Sequence, residues 1–294
     1  MIIACVPAYN EERDLGPVVL KTMKFVDKVI VCDDGSTDLT AEVAKQLGCN
    51  LIIHNSRLGK GIAQKALFEE ALDLGAKIIV TLDADGQHSP EDIPALIEPI
   101  LGGGIDIVNG SRFLKKSKEM PLHRVIGNNI LTSFTRLLSH EAFKELTDSQ
   151  SGFRAYSRKV LENVRIKEKG MGVDSEILIN ASTGSFKVKE VPISVSYDGN
   201  EGSTFNPINH GLNVFYSLFR LASEQKPIVY FGLPGLILVI AGILMGFRVL
   251  NIFLDIGVIA VGSAFISIGL IIVGSIASTT AIVLQVFLNQ IKKI

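Results

Sequence analysis

Thr81-Leu82-Asp83-Ala84-Asp85-Gly86-Gln87-His88 follows a short apolar run at residues 77–80, which predicts a buried β-strand ending at this segment. Ser89 and Pro90 come next and are typical of a helix start, with serine at the cap and proline at the first position. Two carboxylates therefore lie where a strand meets a loop, and ligands of open α/β sheets bind outside the carboxyl ends of the strands. Neighbouring carboxylates repel each other unless a cation neutralises them. A divalent metal with oxygen ligands does so and can also hold a diphosphate, whereas an isolated Asp-x-Asp is more often a solvated acidic turn.

The same succession of apolar run, polar segment and helical pattern recurs along the first part of the chain. Strands are predicted at residues 2–6, 28–32, 51–54, 77–82 and 105–109. Helical patterns follow the first four of them, which indicates βαβ units and an α/β fold with a mainly parallel sheet. Polar, Gly-rich and acidic residues come at one end of every strand, as a crevice for a nucleotide requires.

Beyond Arg112 the pattern changes. Helices are predicted at residues 124–140, 159–164 and 173–182, and an alternating segment at 186–197 predicts a strand with one solvated face. Residues 208–225 place most of their apolar side chains on one side. That pattern fits an amphipathic helix lying in a membrane interface and fits an ordinary core helix equally well.

Composition excludes some classes of protein and favours others. The chain has 294 residues and a formal net charge of −1, so no basic surface indicates a nucleic-acid partner. Two long uncharged segments near the C-terminus predict transmembrane helices at residues 227–249 and 256–288, because about 20 apolar residues cross a hydrocarbon core. A buried hairpin in a large core is the alternative.

The distribution of basic residues predicts the orientation of these helices. Arg220 and Lys226 precede the first one, and Lys292 and Lys293 follow the second. Under the positive-inside rule, both chain ends and the soluble domain lie in the cytoplasm, and the protein is a multi-pass protein of the cell membrane.

Several common motifs are absent. No Gly-x-Gly-x-x-Gly follows the first strand, and no Gly-x-x-x-x-Gly-Lys-Ser/Thr occurs in the chain. Gly86 comes two positions too early for a calcium-binding loop. The three cysteines lack a metal-binding spacing and are expected to be reduced thiols. A nucleotide would therefore be held by carboxylates at the strand ends, by backbone groups and by a metal.

Five motifs occur in order along the chain. They are Val6-Pro7-Ala8-Tyr9-Asn10-Glu11, Asp33-Asp34-Gly35-Ser36-Thr37-Asp38, Gly59-Lys60-Gly61, Asp83-Ala84-Asp85-Gly86-Gln87 and Gln150-Ser151-Gly152-Phe153-Arg154. Together they resemble the family 2 glycosyltransferases, and more closely the polyprenyl-phosphate branch that includes dolichyl-phosphate mannose and glucose synthases. The resemblance covers about residues 1–205, and two spans after the catalytic domain fit several members.

The resemblance implies a GT-A fold over residues 1–205. The amphipathic and apolar patterns predict that an interfacial helix at 206–226 and the two spans follow it. It implies a nucleotide-sugar donor, a divalent metal (Mg or Mn), a polyprenyl-phosphate acceptor and inversion at the anomeric carbon. The product would be a lipid-phosphate-linked monosaccharide that supplies protein glycosylation or a cell-envelope glycan.

The resemblance also implies roles for individual residues. The nucleotide sugar would be bound by Pro7, Tyr9, Glu11, Asp34, Lys60, Asp83 and Ala84. The metal would be bound by Asp85 and Gln87, and the lipid phosphate by Arg112, Arg124 and Asn128. Asp85 and Asp174 would be catalytic, with Glu176 in the same region as Asp174.

Such a reaction does not need a strong general base, and none stands out in the sequence. The acceptor is a phosphate monoester with a second pKa of about 6, so it is already an anionic nucleophile at neutral pH. Catalysis needs stabilisation of the leaving nucleoside diphosphate by a metal. It also needs an alignment of two anions, which arginines favour because the guanidinium is always charged and can bind two oxygens at once.

Alternative functions remain at this point. A processive polysaccharide synthase is disfavoured because such relatives use a Gln-x-x-Arg-Trp motif and this chain has no tryptophan. A non-catalytic membrane scaffold is disfavoured by the intact Asp83, Asp85 and Gln87. The Asp-Ala-Asp-Gly-Gln-His and Gln-Ser-Gly-Phe-Arg motifs favour a UDP-sugar, with a GDP-mannose-using dolichyl-phosphate mannose synthase as the alternative. The glycines Gly257, Gly262, Gly269 and Gly274 in the second span suggest close helix packing and a possible homo-oligomer.

Overall fold

The structure is a computed structural model that describes residues 1–114, 122–140, 143–184, 186–196, 216 and 227–291. The chain divides into two compact units, Met1–Leu218 and Phe219–Ile294. The predicted end of the catalytic domain at residue 205 lies outside the described residues. So does the predicted interfacial helix at 206–226, apart from the exposed Tyr216.

The first unit is built on a seven-stranded sheet. Its strands are β1 (Ile2–Ala8), β2 (Lys28–Asp33), β3 (Asn50–Ile53), β4 (Ile78–Thr81), β5 (Ile107–Ser111), β6 (Arg154–Ser157) and β7 (Val188–Pro192). They are arranged in the order β3-β2-β1-β4-β6-β5-β7. Only β6 runs antiparallel to its neighbours β4 and β5, and the other neighbouring strands are parallel. The predicted α/β architecture with a mainly parallel sheet is therefore confirmed.

Seven helices belong to the described part of this unit. They are α1 (Leu15–Thr22), α2 (Thr40–Gln46), α3 (Lys60–Asp73), α4 (Ile93–Leu101), α5 (Leu122–Leu138), α6 (Arg158–Asn163) and α7 (Val173–Ser182). A 3-10 turn at Pro90–Asp92 leads into α4. Ser89 occupies the N-cap of this turn and proline its start, as predicted, although the Ser89 side chain makes no capping hydrogen bond.

The strands alternate their side chains between two apolar cores. On β1, Ile3 and Cys5 pack with residues of α3, α6 and α7, while Ala4 and Val6 pack with residues of α1, α2 and α4. Strands that are buried on both faces have near-continuous apolar sequences, and for this reason the apolar runs in the sequence predict these strands. Burial of each large apolar side chain contributes about 1.5–3 kcal/mol, so the two cores hold the sheet rigid beneath its carboxyl edge.

Two strands differ from the sequence expectation. β6 was not predicted, because its four residues begin with Arg154 and contain no apolar run. The strand predicted at 186–197 is shorter and ends at Pro192, which has no N–H to extend the ladder. Beyond it, Val195 forms an isolated antiparallel bridge with His88.

The second unit contains α8 (Leu233–Ile256) and α9 (Val261–Ile291), with a π-helical turn at Ile228–Gly232 before α8. The segments Ile228–Ile256 and Val261–Asn289 are long and apolar enough to cross a membrane. Most of their side chains are exposed in this structure, as expected for surfaces that face lipid.

The connection between these helices differs from the prediction. Helix α8 continues to Ile256, past the predicted end of the first span at residue 249, and so includes Asp255, which lies between the two predicted spans. Gly257 ends α8 in the left-handed conformation (φ 67°), so it belongs to the end of α8 and not to the second span.

Close packing of α8 and α9 depends on glycine. A Cβ added to Gly274 would lie 2.5 Å from the carbonyl oxygen of Gly235, and one added to Gly242 would lie 2.9 Å from that of Ser267. Gly274 thus serves contact within the chain. A Cβ at Gly262 or Gly269 would meet no described atom within 4 Å, and their use in an oligomer stays a prediction.

Candidate active site

The carboxyl edge of the sheet brings together segments from distant parts of the sequence. Asp34 follows β2, Asp83 follows β4 and Arg112 follows β5. Because β6 is antiparallel, its amino end reaches the same edge, and Gly152 lies beside Asp83. The Gln-Ser-Gly-Phe-Arg motif therefore contributes to the same site as the acidic segment.

Lys60 joins two of the predicted site carboxylates. Its Nζ lies 2.8 Å from Asp83 Oδ1 and donates to Asp174 Oδ2 at 3.0 Å. Burial acts to raise the pKa of Asp83, but the Lys60 ammonium outweighs it and, with His88 and Arg112, holds that pKa at about 2. Burial acts to lower the pKa of Lys60, and the two carboxylates raise it well above its usual range. Lys60 and Asp83 are therefore both charged at neutral pH, and the two contacts of Lys60 fix Asp83 and Asp174 relative to each other.

The glycines beside Lys60 make room for another loop. The backbone N–H of Gly61 donates to the carbonyl of Lys169 at 2.9 Å. A Cβ on Gly61 would collide with the carbonyl oxygen of Glu168, and one on Gly59 with that of Lys169. Gly59 also has φ 106°, which other residues rarely adopt. The Gly-Lys-Gly motif therefore fixes Lys60 by packing two backbones together, which the sequence did not reveal.

Gly61→Ala is expected to displace this loop and reduce sugar transfer about tenfold or more, because the added Cβ meets a backbone carbonyl that cannot rotate away. Transfer rate and melting temperature are the measurements. Gly170→Ala is the matched control, since its Cβ would meet only the Glu168 side chain, at 3.3 Å, and it should retain wild-type transfer. Equal losses in both variants would contradict the assignment.

Asp34 holds the loop that leads to Lys60. Its Oδ1 accepts hydrogen bonds from His54 Nδ1 at 2.7 Å and from the N–H of Leu58 at 3.0 Å. Its Oδ2 accepts from the N–H of Gly59 at 2.7 Å. These contacts give Asp34 a positioning function, and its predicted contact with the nucleotide stays a prediction.

The other residues predicted to bind the nucleotide surround the ends of β1 and β4. Pro7 is half-buried within β1, and Ala84 is buried. The guanidinium of Arg57 lies 4.2 Å from the centre of the Tyr9 ring. Their contact with a nucleotide stays a prediction.

Glu11 and Asp85 form an acidic pocket beside Asp83. Burial raises the pKa of Glu11 to about 7, and the carboxylates of Asp85, Asp14 and Asp83 contribute. Burial and Asp83 likewise raise the pKa of Asp85, whose Oδ1 accepts a hydrogen bond from the N–H of Gln87 at 3.0 Å. Negative charge is therefore concentrated here beyond what Lys60 neutralises.

The acidic pocket offers the type of ligand atom that a divalent cation takes. The carboxylates of Glu11, Asp83 and Asp85 supply oxygen atoms, which Mg²⁺ and Mn²⁺ prefer as ligands, and the predicted ligand role of Gln87 stays a prediction. Among the described residues, no group of three or more His, Cys, Asp or Glu side chains is arranged so that it could hold a metal ion by itself. Mg²⁺ is commonly held by one or two carboxylates together with substrate phosphates, so an incomplete set of protein ligands is the expected arrangement.

His88 was not assigned a role from the sequence. It is buried, its ring packs against Phe153 with centroids 5.2 Å apart, and its Nδ1 lies 3.9 Å from Asp83 Oδ2. Burial lowers the pKa of His88, although Asp83 and Asp85 oppose this effect. His88 thus lies between Phe153 and Asp83, and no sequence signal beyond its place after the acidic motif could have identified it.

Arg112 is held by a buried carboxylate. Its Nε and Nη2 donate to the two oxygens of Asp148 at 2.7 and 2.8 Å, and Nη2 also donates to Asn128 Oδ1 at 3.4 Å. The structure thus brings together two of the three residues predicted to bind a lipid phosphate. The third, Arg124, lies in the first turn of α5, but its side chain is outside the described residues. Asp148, 36 residues away in sequence, was not predicted.

The mostly parallel sheet and the acidic site at its carboxyl edge define a transferase domain of the GT-A type. Residues 3–165 match the family model described as "Glycosyl transferase family 2". The chain belongs to this family and is a glycosyltransferase, which confirms the resemblance found in the sequence.

The alignment with this chain covers nearly the full length of two relatives. An uncharacterized protein of Methanocaldococcus jannaschii is 38% identical over 76% of this chain and 92% of its own. The UDP-N-acetylglucosamine–dolichyl-phosphate N-acetylglucosaminyltransferase of Methanococcus voltae is 35% identical over 75% of this chain and 96% of its own.

Solved structures support the same fold. The glucosyl-3-phosphoglycerate synthase of Mycobacterium tuberculosis, in complex with Mg²⁺ and UDP, has a TM-score of 0.57 and 24% sequence identity. The alignment covers 75% of this chain and 78% of that one. At this identity the likeness establishes the architecture alone.

Proposed function

We propose that this glycosyltransferase transfers a sugar from a UDP-sugar to a polyprenyl phosphate at a membrane, with inversion at the anomeric carbon. The observation that carries the proposal is that one sheet edge holds both an acidic pocket around Asp85 and an arginine, Arg112, fixed by Asp148. The first suits a metal–diphosphate and the second suits a phosphate monoester. The M. voltae relative, named for a UDP-sugar and dolichyl phosphate, supports both substrate classes.

On the donor side, Asp85 and Gln87 would hold a divalent cation. When bound, it would stabilise the charge of the leaving diphosphate. Lys60 holds the carboxylates of Asp83 and Asp174 in place through its two contacts. Fixed carboxylates accept hydrogen bonds from sugar hydroxyls, so this pair would orient the sugar without reorganising during the reaction.

On the acceptor side, Arg112 and Asn128 would bind the lipid phosphate, with Arg124 from the start of α5. The phosphate monoester is itself the nucleophile and needs no proton removed at neutral pH. The task of these residues is to bring one anion close to another, which guanidinium groups do by charge and by paired hydrogen bonds.

The two apolar helices would anchor the protein to the membrane in which such an acceptor resides. Polyprenyl phosphates are confined to membranes by their chains, and α8 and α9 are long and apolar enough to span one. Basic residues outside both segments favour a cytoplasmic location for both chain ends and for the catalytic domain.

A substrate panel tests this function. Purified full-length protein in vesicles is supplied with polyprenyl phosphate, Mg²⁺ or Mn²⁺, and one of UDP-glucose, UDP-N-acetylglucosamine or GDP-mannose, and glycolipid product is measured. Product from a UDP-sugar supports the proposal. Product from GDP-mannose alone would replace it with the mannose-synthase alternative, and no product from any pair would refute a polyprenyl-phosphate acceptor.

Arg112→Ala and Arg124→Ala are each expected to reduce transfer about tenfold or more, since a charge-assisted hydrogen bond contributes about 1.5–3 kcal/mol. Affinity for UDP in the presence of metal should change little, because the acidic pocket is intact. Arg112→Lys should rescue only partly, because lysine keeps the charge but cannot reproduce the two-point contact with Asp148.

The measurements are nucleotide affinity and lipid-dependent rate for each variant. Arg158→Ala is the matched control, since Arg158 is a half-buried arginine of α6 that pairs with Glu162 and donates to the carbonyls of Leu72 and Ala76, away from Asp148 and Asn128. If nucleotide affinity falls as far as the transfer rate in the site variants, the arginines belong to the donor site instead.

A further inference from the structure

We propose that Asp148, itself held in place by Glu190, is a positioning residue that orients Arg112 towards the acceptor phosphate. This inference rests on the proposed function, because it presumes that Arg112 binds that phosphate. Neither Asp148 nor Glu190 belongs to the motifs that suggested the site, and both are carboxylates on the side of the site where an anion is expected to bind.

The Asp148 carboxylate is completely buried and saturated with hydrogen bonds. Its Oδ2 accepts from Arg112 Nε at 2.7 Å and from the Arg112 backbone N–H at 3.2 Å. Its Oδ1 accepts from Arg112 Nη2 at 2.8 Å and from the Gln150 N–H at 3.3 Å. A guanidinium is planar, so fixing its Nε–Nη2 edge also fixes the direction of its remaining donors.

Glu190 fixes Asp148 in turn. From β7 its Oε2 accepts from the N–H and the hydroxyl of Thr147 at 2.8 and 2.6 Å. Its Oε1 accepts from the Asp148 N–H at 3.2 Å and from Asn109 Nδ2 at 2.7 Å. Asn109 on β5 also donates to the Asp148 carbonyl at 2.8 Å. The segment that carries Asp148 is thus fastened to two neighbouring strands of the rigid sheet.

Stability alone is a weak reason for such an arrangement. Burying an ion pair costs desolvation that its attraction often fails to recover, and apolar replacements of such pairs are frequently neutral or stabilising. A carboxylate beside Arg112 also weakens the attraction of that site for a phosphate anion. Asp148 therefore opposes acceptor binding through its charge and favours it through the orientation that it imposes on Arg112, and these two effects predict opposite results when the charge is removed.

Asp148→Asn separates the two effects, because it removes the negative charge and keeps the size of the side chain. If charge dominates, acceptor KM falls, since the site becomes more positive. We expect the acceptor KM to rise about tenfold instead. In the variant an NH₂ group replaces one of the two carboxylate oxygens, and an NH₂ group cannot accept a hydrogen bond from Arg112. Glu190→Gln should change acceptor KM in the same direction by a smaller factor, and donor KM should stay at the wild-type value in both variants.

Asp106→Asn is the matched control. Asp106 precedes β5, at the opposite end of the strand from Arg112, and its Oδ2 accepts the Lys187 N–H at 3.0 Å. Like Glu190, Asp106 is a carboxylate that helps to join β5 to the β7 segment, but it does not contact Arg112. Its acceptor and donor KM should both equal those of the wild type.

A double-mutant cycle tests whether Asp148 acts through Arg112. In the Arg112→Ala background, adding Asp148→Asn should cause no further loss of transfer. Additive losses, a fall in acceptor KM, or equal rises in donor and acceptor KM would each overturn the proposal. Glu190→Gln provides the same comparison if Asp148→Asn does not fold. Failure of the wild-type protein to glycosylate any polyprenyl phosphate would instead refute the proposed function, so the two failures are distinguishable.

Discussion

Lys60→Met is expected to reduce sugar transfer at least about a hundredfold, the largest loss expected from a residue outside the predicted metal site. Methionine keeps the length and apolar stem of lysine and removes the cation between Asp83 and Asp174. The two carboxylates would then repel each other and lose the geometry in which they face the sugar. Removing one partner of a buried ion pair costs about 3–5 kcal/mol, so a lower melting temperature is also expected.

The pH dependence of stability provides a second measurement on the same variant. In the wild type the pKa of Asp83 is lowered from 3.8 to about 2, so its contribution to stability is present above pH 3.8 and is lost as the pH falls through 2. In Lys60→Met burial is left to raise that pKa, so the folded state is destabilised at neutral pH and recovers as Asp83 takes up a proton. The difference in unfolding free energy between the two proteins should therefore narrow from about pH 7 to about pH 4.

Lys65→Met is the control for both measurements. Lys65 lies on the same helix, is more than half exposed and pairs with Glu69 at 3.8 Å on the protein surface. Exposed pairs of this kind contribute about 0.3–0.5 kcal/mol, so this variant should behave as the wild type. Wild-type transfer in Lys60→Met would show that the cluster of Lys60, Asp83 and Asp174 lies outside the active site.

The sequence predicted the acidic edge of the site because its signals are local. An apolar run followed directly by Asp83 and Asp85 marks a strand end, and that strand is β4 in the structure. The contacts that make the site rigid are not local. Lys60 and Asp174 are 114 positions apart, and Thr81 and Gly152, joined by a 2.7 Å hydrogen bond, are 71 apart. No periodicity or spacing in a single sequence connects such pairs.

The antiparallel strand β6 shows a second limit of sequence reasoning. Its first residue, Arg154, is completely buried and donates to Asn109 Oδ1, the Asp174 carbonyl and the Ser149 carbonyl at 2.6–2.8 Å. A fully buried arginine contradicts the usual preference of charged side chains for the surface, and it is tolerated because oxygen atoms surround it. Tertiary contacts thus overrode a local pattern that indicates a loop. The same strand explains why the Gln-Ser-Gly-Phe-Arg motif reaches the site.

Asp85→Asn is expected to reduce transfer at least about a hundredfold at limiting Mn²⁺ or Mg²⁺, because a hard anionic oxygen ligand is replaced by a neutral amide. The variant should fold normally, since the asparagine oxygen can still accept the Gln87 N–H that Asp85 Oδ1 accepts at 3.0 Å. Affinity for UDP should fall when metal is present and stay unchanged when metal is removed by a chelator. The measurements are UDP affinity with and without metal, and transfer rate as a function of metal concentration.

The metal dependence separates loss of a ligand from loss of structure in this variant. If Asp85 is a ligand, higher metal concentration should restore part of the transfer in Asp85→Asn, because weaker binding is offset by mass action. Asp73→Asn is the control, since Asp73 ends α3 as an exposed carboxylate and should have no effect on metal dependence. Wild-type turnover of Asp85→Asn at limiting Mn²⁺ would rule out Asp85 as a metal ligand.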